Sequence, residues 1–351
     1  MLNTGIVKDV RYLRHETAVF HPESPKRLEA IYKMLDNSEM AGKFHAIEPT
    51  YATHEDIGMI HKQAYIELVA KTAGKGHSYL DPDTETSPES YDAAKLAVGG
   101  VCNAIDSVVE GESHNAFAFI RPPGHHAETD RAAGFCIFNK IAIGALHAIK
   151  KYGMNRILII DWDLHHGNGT QHSFYDDPRV LYFSTHQYPY YPGSGSVKEI
   201  GRGKGLGYTI NVPLRTGPGD AEFLKIYRAI LKPVALDYKP DLVLLSAGFD
   251  IYYQDPLGGM NVSPAGFANL IRVLLDIADE CCNGKLVAVL EGGYDLMGLT
   301  RSAKKVLNEM CGETNQSQKD LDSVEERAEP YIDEIINTVV DQIKPLWKVL
   351  R

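Results

Sequence analysis

Along this chain, short apolar runs rich in β-branched residues recur at 116–120, 157–160, 180–183, 242–245 and 286–290. Each is closed by a polar or glycine-rich segment. Continuous apolar runs of this length suit strands buried on both faces of a parallel sheet. Between them, stretches at 90–109, 141–151, 221–238 and 264–281 repeat apolar residues every three or four positions, the helical spacing. Strand followed by helix, repeated, predicts an α/β fold: one open, mostly parallel sheet flanked by helices. Residues 311–330 are polar and acid-rich, and 331–350 return to an amphipathic pattern. They read as a surface connection and a terminal helix packed on the same domain, so residues 1–351 are expected to form a single domain. The glycine-rich 201–207 (GRGKGLG) fits no phosphate-binding pattern and reads as a flexible loop.

The segments that close these runs carry the chemistry. After 116–120 comes RPPGHHAE, after 157–160 DWDLHHGNGTQ, and after 180–183 STHQYPYYPGSG. After 242–245 comes SAGFD, and after 286–290 EGGYD. Open α/β sheets bind ligands beyond the carboxyl ends of their strands. The predicted sheet therefore delivers His, Asp, Tyr and Gly to one rim.

Composition narrows the partners. A 44% hydrophobic and 23% charged chain of 351 residues is ordinary for a globular protein. The net charge of −10 argues against direct nucleic-acid binding, which needs clustered Lys and Arg. Five cysteines, without a CxxC pair, read as free thiols in a reducing compartment. The N-terminal segment has no apolar signal core, and no run of about 18 apolar residues occurs, so a cytoplasmic protein away from membranes is expected. Self-association is left open.

Asp163 and His165 lie two apart just past a strand, so both side chains can face one metal. Carboxylate and imidazole suit zinc, and Asp250 at the end of SAGFD is the best third ligand. Taken singly, each of these residues would be read as a cap or turn residue; three converging strand ends weaken that reading. Pro122, Pro123 and Gly124 stiffen and turn the backbone into His125-His126, presenting two imidazoles for acid–base work. Asp161 and Asn168 are candidate orienting acceptors for the two rings. The alternative is a hydrogen-bonded pair without chemistry. Tyr294, after two glycines, could donate to an oxyanion, although core packing is the default for any one of 19 tyrosines. Phe135 and Tyr191 form either an aromatic slot or plain packing.

RPPGHHA, GFCIFN, DWDLHHGNGTQ, SAGFD and EGGYD together resemble the histone deacetylase family, within the arginase/deacetylase fold. TGIVKDVRYLRHE followed by HPESPKRL, together with Asn168, resembles its class II branch and prokaryotic histone deacetylase-like amidohydrolases. The resemblance runs from about residue 3 to about residue 310. It implies zinc ligands Asp163, His165 and Asp250, with iron(II) as an alternative metal. His126 would be the general base and acid, His125 with Asp161 mainly electrostatic, and Tyr294 the carbonyl-polarising phenol. The Gly134 carbonyl would accept the substrate amide hydrogen, and Phe135 and Tyr191 would flank the acyl-lysine stem. Tyr191 departs from the family's usual Phe and makes that slot more polar. Arg27 matches an arginine lining an internal channel. The resemblance also implies structural potassium, at one site formed by Asp161, Asp163, His165, Ser184 and Thr185, and at a second formed by Phe174, Asp177, Val180 and Tyr208. Polyamine-selective relatives carry an acidic residue where this chain has Leu257, which favours an acyl-lysine protein or peptide over a small acylated amine.

The expected activity is therefore zinc-dependent deacetylation of N-acetyl-lysine. An acetylpolyamine amidohydrolase is the rival within the class, and a non-catalytic acyl-lysine binding module is the rival outside it. A binuclear arginase-type site lacks support, because His166 and Asn168 stand where further carboxylates are needed.

Overall fold

The computed structural model describes residues 2–350. Ten strands are formed: β1 Thr4–Val7, β2 His45–Ala46, β3 Ser78–Asp81, β4 Thr84–Thr86, β5 Asn115–Ala118, β6 Ile157–Asp161, β7 Val180–Gln187, β8 Thr209–Leu214, β9 Leu242–Ala247 and β10 Leu286–Leu290. Eight build one sheet in the order β2-β1-β5-β10-β9-β6-β7-β8, every neighbouring pair parallel. β3 and β4 make a separate antiparallel hairpin. The open, helix-flanked parallel sheet expected from the alternation is thus present.

The central strands have no exposed face. All of β6, β9 and β10 are buried, as their unbroken Ile, Leu and Val runs require. Each such side chain removed from water contributes about 2 kcal/mol. Helices Ser90–Val109 and Lys140–Tyr152 pack together against the sheet, and Pro264–Cys282 packs with Leu296–Met310. Their ends follow local chemistry. The Asn139 side chain accepts from the Ala142 N–H at one start, and Gly153 at φ 67° terminates that helix. Ser263 caps the other with Pro264 at its first position, and Asn283 stops it in the left-handed conformation.

The structure departs from the expected elements in several places. Residues 221–238 are helical throughout, but Asp220–Ile226 passes through a π-helical turn, Tyr227–Leu231, into Lys232–Tyr238. Pro233 explains the π turn, since it has no N–H for the ladder and its ring crowds the preceding turn. The stretch 311–330 contains a helix, Gln318–Glu325, that buries Leu321. In the glycine-rich 201–207, Gly203–Gly205 forms a 3-10 turn with Gly201, Gly203 and Gly207 at positive φ. The terminal helix, Tyr331–Ile343, buries Ile332, Ile336, Val339 and Ile343, lying beside β8. Trp347 comes after it, donating from Nε1 to the Gly207 carbonyl at 2.9 Å and meeting the rings of Tyr208 and Tyr238. All five cysteines are free, with Cys281 alone part-exposed. No helix among the described residues is long and apolar enough to cross a membrane.

Candidate active site

Because the strands are parallel, their carboxyl ends all reach one rim, and the polar segments after β5, β6, β7, β9 and β10 meet there. Asp163, His165 and Asp250 converge, with one ligand atom from each inside a 4.8 Å group. His165 Nδ1 is 3.1 Å from Asp163 Oδ1 and 3.1 Å from Asp250 Oδ2. Backbone N–H groups fix the carboxylates: Leu164 donates to Asp250 Oδ1 at 2.9 Å, and Gly292 to Asp163 Oδ2 at 2.8 Å. Two glycines wall this bed. A Cβ at Gly248 would lie 2.1 Å from Asp163 Oδ2, and one at Gly292 would lie 2.3 Å from Asp250 Oδ2. Burial, and then Asp163, push the Asp250 carboxyl up to about 7. Burial works against charge on His165, but the two carboxylates outweigh it and raise the imidazole to about 10. Two buried acids sharing one imidazole make a bed that calls for a cation.

The tandem histidines find different partners. His125 Nδ1 donates to Asp161 Oδ2 at 3.0 Å, whereas His126 Nδ1 meets Asn168 Oδ1 at 2.8 Å. Burial lowers both, but Asp161 and Asp163 overcome it for His125 and raise it to about 9. His126 has only a neutral amide; burial and the neighbouring His125 and His165 hold it well below the ordinary histidine range. The Asn168 amide nitrogen donates to Glu128 Oε1 at 2.6 Å, which leaves its oxygen facing His126. That oxygen only accepts, so the His126 proton sits on Nδ1 and Nε2 keeps its lone pair.

A cavity of about 220 Å³ lies over these groups, lined among others by His126, His165, Gly134, Phe135, Tyr191, Leu257 and Tyr294. Gly134 at φ 54° and Phe135 at φ 67° turn the wall inward, and a Cβ on Gly134 would lie 2.4 Å from His126 Cδ2. Tyr191 meets the His126 ring edge-on at 5.1 Å. Burial drives the Tyr294 phenol well above its ordinary value, so it remains a hydrogen-bond donor. Arg27 does not line the cavity. It lies behind Tyr294, 5.1 Å from the ring, donating to the Gly293 carbonyl at 2.7 Å and pairing with Glu23 at 3.1 Å.

The residues expected to hold potassium lie on β6, β7 and the segments beside them. Asp161 pairs in register with Ser184. The hydroxyls of Ser184 and Thr185 leave opposite faces of β7, one meeting His186 Nδ1 at 2.9 Å and the other the Tyr227 hydroxyl at 3.4 Å. Beside Asp161, Ser184 can offer its hydroxyl or carbonyl and Thr185 its carbonyl. In the second group, Arg179 holds the Asp177 carboxylate, so backbone carbonyls of Phe174, Asp177, Val180 and Tyr208 remain as donors.

Several functional residues escape sequence reasoning. Asp83, on the β3–β4 hairpin, lines the cavity and accepts from the Gly134 N–H at 3.0 Å; burial and Asp81 raise it to about 6. Tyr190 stacks on His165 at 5.7 Å and donates to the Leu257 carbonyl at 3.0 Å. Asp255 ties the third-ligand loop to the tyrosine turn by accepting from the Tyr294 N–H at 2.6 Å. Tyr190 and Asp255 stand in strand-end segments and could have been weighed. Asp83 carries no local signal, because tertiary packing alone brings its hairpin to the rim.

Residues 21–310 match the profile of the histone deacetylase domain. A probable deacetylase of Archaeoglobus fulgidus is 42% identical over 300 residues, covering 84% of this chain and 82% of that protein. Histone deacetylase HDA1 of Candida albicans is 37% identical over 380 residues, covering 98% of this chain but 45% of its own length. Polyamine deacetylase HDAC10 of Danio rerio is 40% identical over 304 residues, covering 83% of this chain and 44% of its own. The chain thus spans less than half of these two eukaryotic relatives. The crystal structure of the HDA15 HD domain superposes with a TM-score of 0.92 at 34% identity, covering 99% of this chain and 96% of that one.

Proposed function

The chain belongs to the histone deacetylase family, and from that premise we propose that it hydrolyses N-acetyl-lysine in a protein or peptide at one zinc held by Asp163, His165 and Asp250. The observation that carries this reading is the pairing of a neutral imidazole, His126, with a protonated phenol, Tyr294, at one cavity over the three-ligand bed. That bed fits the metal: two carboxylates and one imidazole are buried, fixed by backbone N–H groups and walled by glycines, with a side left open. When bound, zinc would acidify a water and polarise the acyl carbonyl.

His126 Nε2 takes the proton of the attacking water and passes it to the leaving amine. Tyr294 donates to the developing oxyanion. His125, kept charged by Asp161, contributes field and not proton transfer. The Gly134 carbonyl accepts the substrate amide hydrogen, and Phe135 and Tyr191 flank the aliphatic stem. Iron(II) suits the same donors, and structural potassium near Asp161 and Ser184 is part of this proposal. Free thiols accord with a reducing, cytoplasmic setting.

Chelator-stripped protein should lose deacetylation of an acetyl-lysine peptide and regain it with zinc. Full turnover by the metal-free chain would refute the reading. The second reading, a small acylated amine, is favoured by the Asp83 carboxylate on the cavity wall, which could meet a distant ammonium. Leu257 on the same wall opposes it. Comparing kcat/KM on an acetyl-lysine peptide and on acetylputrescine separates the two.

A further inference from the structure

Under the turn that carries the tandem histidines lies a second set of ligand-type atoms, in which the proposed reaction uses His125 but leaves Cys136 and Glu291 without a role. His125, Cys136 and Glu291, all buried, each place one ligand atom inside a 4.8 Å group. Glu291 is fully buried, and its Oε1 has no hydrogen-bond partner. A buried carboxylate oxygen left without a partner is rare. The other oxygen, Oε2, accepts from the Gly124 N–H at 2.6 Å and from Lys140 Nζ at 3.2 Å. Lys140 is itself only 1% exposed, and its chain runs under the turn, where a Cβ on Gly124 would lie 3.0 Å from Nζ. Imidazole, thiol and carboxylate at this spacing are the donor set of a zinc or cadmium site. What stands there instead is a tethered ammonium.

We propose that His125, Cys136 and Glu291 form a latent site for a thiophilic divalent cation, and that Lys140 keeps it empty by supplying the cation itself. A divalent ion beside a fixed ammonium in a dry interior is repelled far more strongly than in water. One lysine neutralises one carboxylate, so the pair is self-contained and no second metal is drawn in. Without the ammonium, the buried Glu291 carboxylate loses its hydrogen-bonded counter-ion, and a metal that displaces a proton from His125 and Cys136 is the available remedy. A metal there would take a ring nitrogen of His125, which could then no longer carry the charge that the proposed reaction uses. Lys140 therefore guards the tandem histidines against the metal their neighbour requires. The inference rests on the proposed function only in placing the first metal at Asp163, His165 and Asp250.

The test needs no substrate. Protein carrying one equivalent of zinc is titrated with cadmium, and both metal content after gel filtration and ultraviolet cadmium–thiolate absorption are read. The native chain should stay at one equivalent with no thiolate band. Lys140→Met should take up a second equivalent and show the band, and adding Cys136→Ser should remove the band. Lys140→Gln keeps a donor to Glu291 without the charge and should behave as Lys140→Met does, which covers a methionine variant that folds poorly. A thiolate band in the native chain, a band that survives Cys136→Ser, or variants that stay at one metal would overturn the proposal. Deacetylation failing with zinc restored would count against the proposed function and leave these outcomes intact.

Discussion

Tyr294→Phe removes one hydroxyl from a wall that stays packed, so it should lower kcat by about 10²-fold or more while leaving Tm where it was. Steady-state kinetics beside thermal denaturation check this, and near-normal kcat would exclude the oxyanion role. His61 offers a different residue-scale prediction. Burial holds its pKa down at about 4, with Nδ1 on the Glu128 carbonyl and Nε2 accepting from the Asn139 N–H. The unfolded chain takes up that proton near the ordinary 6.5. Stability from this group is therefore complete above about pH 6.5 and falls as pH drops towards 4, by about 3 kcal/mol in all. In urea titrations across that window, His61→Asn should flatten the acid-side slope, and His186, also held at about 4, should account for part of what remains. At this scale the sequence was informative where chemistry is concentrated after a strand. Asp163, His165 and the unequal partners of His125 and His126 could be named because a few residues carry both the spacing and the donors. Asp83 could not, since it approaches Gly134 only once the hairpin has docked.

Between elements, the contacts that matter are those made by short connecting pieces. Trp347 closes the space between Gly207, Tyr208 and Tyr238. Trp347→Ala should cost about 3 kcal/mol in denaturant unfolding, with the kcat of the folded fraction unchanged because the tail lies away from the cavity. Gly134→Ala tests the opposite case. A methyl there strains a left-handed backbone and strikes His126, so kcat/KM should drop sharply and Tm should fall by a few degrees, in proportion to about 1–3 kcal/mol of strain. Element types were readable from periodicity where runs are long, as in Ser90–Val109 and Leu286–Leu290. They were not where the signal is short or conflicting. Thr4–Val7 and the two-residue His45–Ala46 are too brief to show a period, and Pro233 puts a π turn into a helix whose apolar spacing continues across it.

The molecule as a whole carries a net charge of −10. A field of that sign draws lysine-rich substrates towards it, and salt screens the attraction. For a cationic acetyl-lysine peptide, kcat/KM should fall several-fold between about 0.01 and 0.15 M salt. A neutral peptide of equal length should change little, and equal salt responses would remove the steering argument. The parallel sheet also separates two kinds of neighbourhood. Around the ligand bed, Gly248 and Gly292 press backbone against the carboxylates, and Gly167 does the same to Asp161, where a Cβ would lie 2.2 Å from Oδ2. At the mouth, Tyr190, Tyr191 and Leu257 stand on connecting segments, the two tyrosines part-exposed. This arrangement decides where heritable novelty can arise. A randomised library selected for a new acyl group should return changes at the mouth and almost none at the three glycines. The chemistry would then pass unaltered between descendants while the choice of substrate drifts.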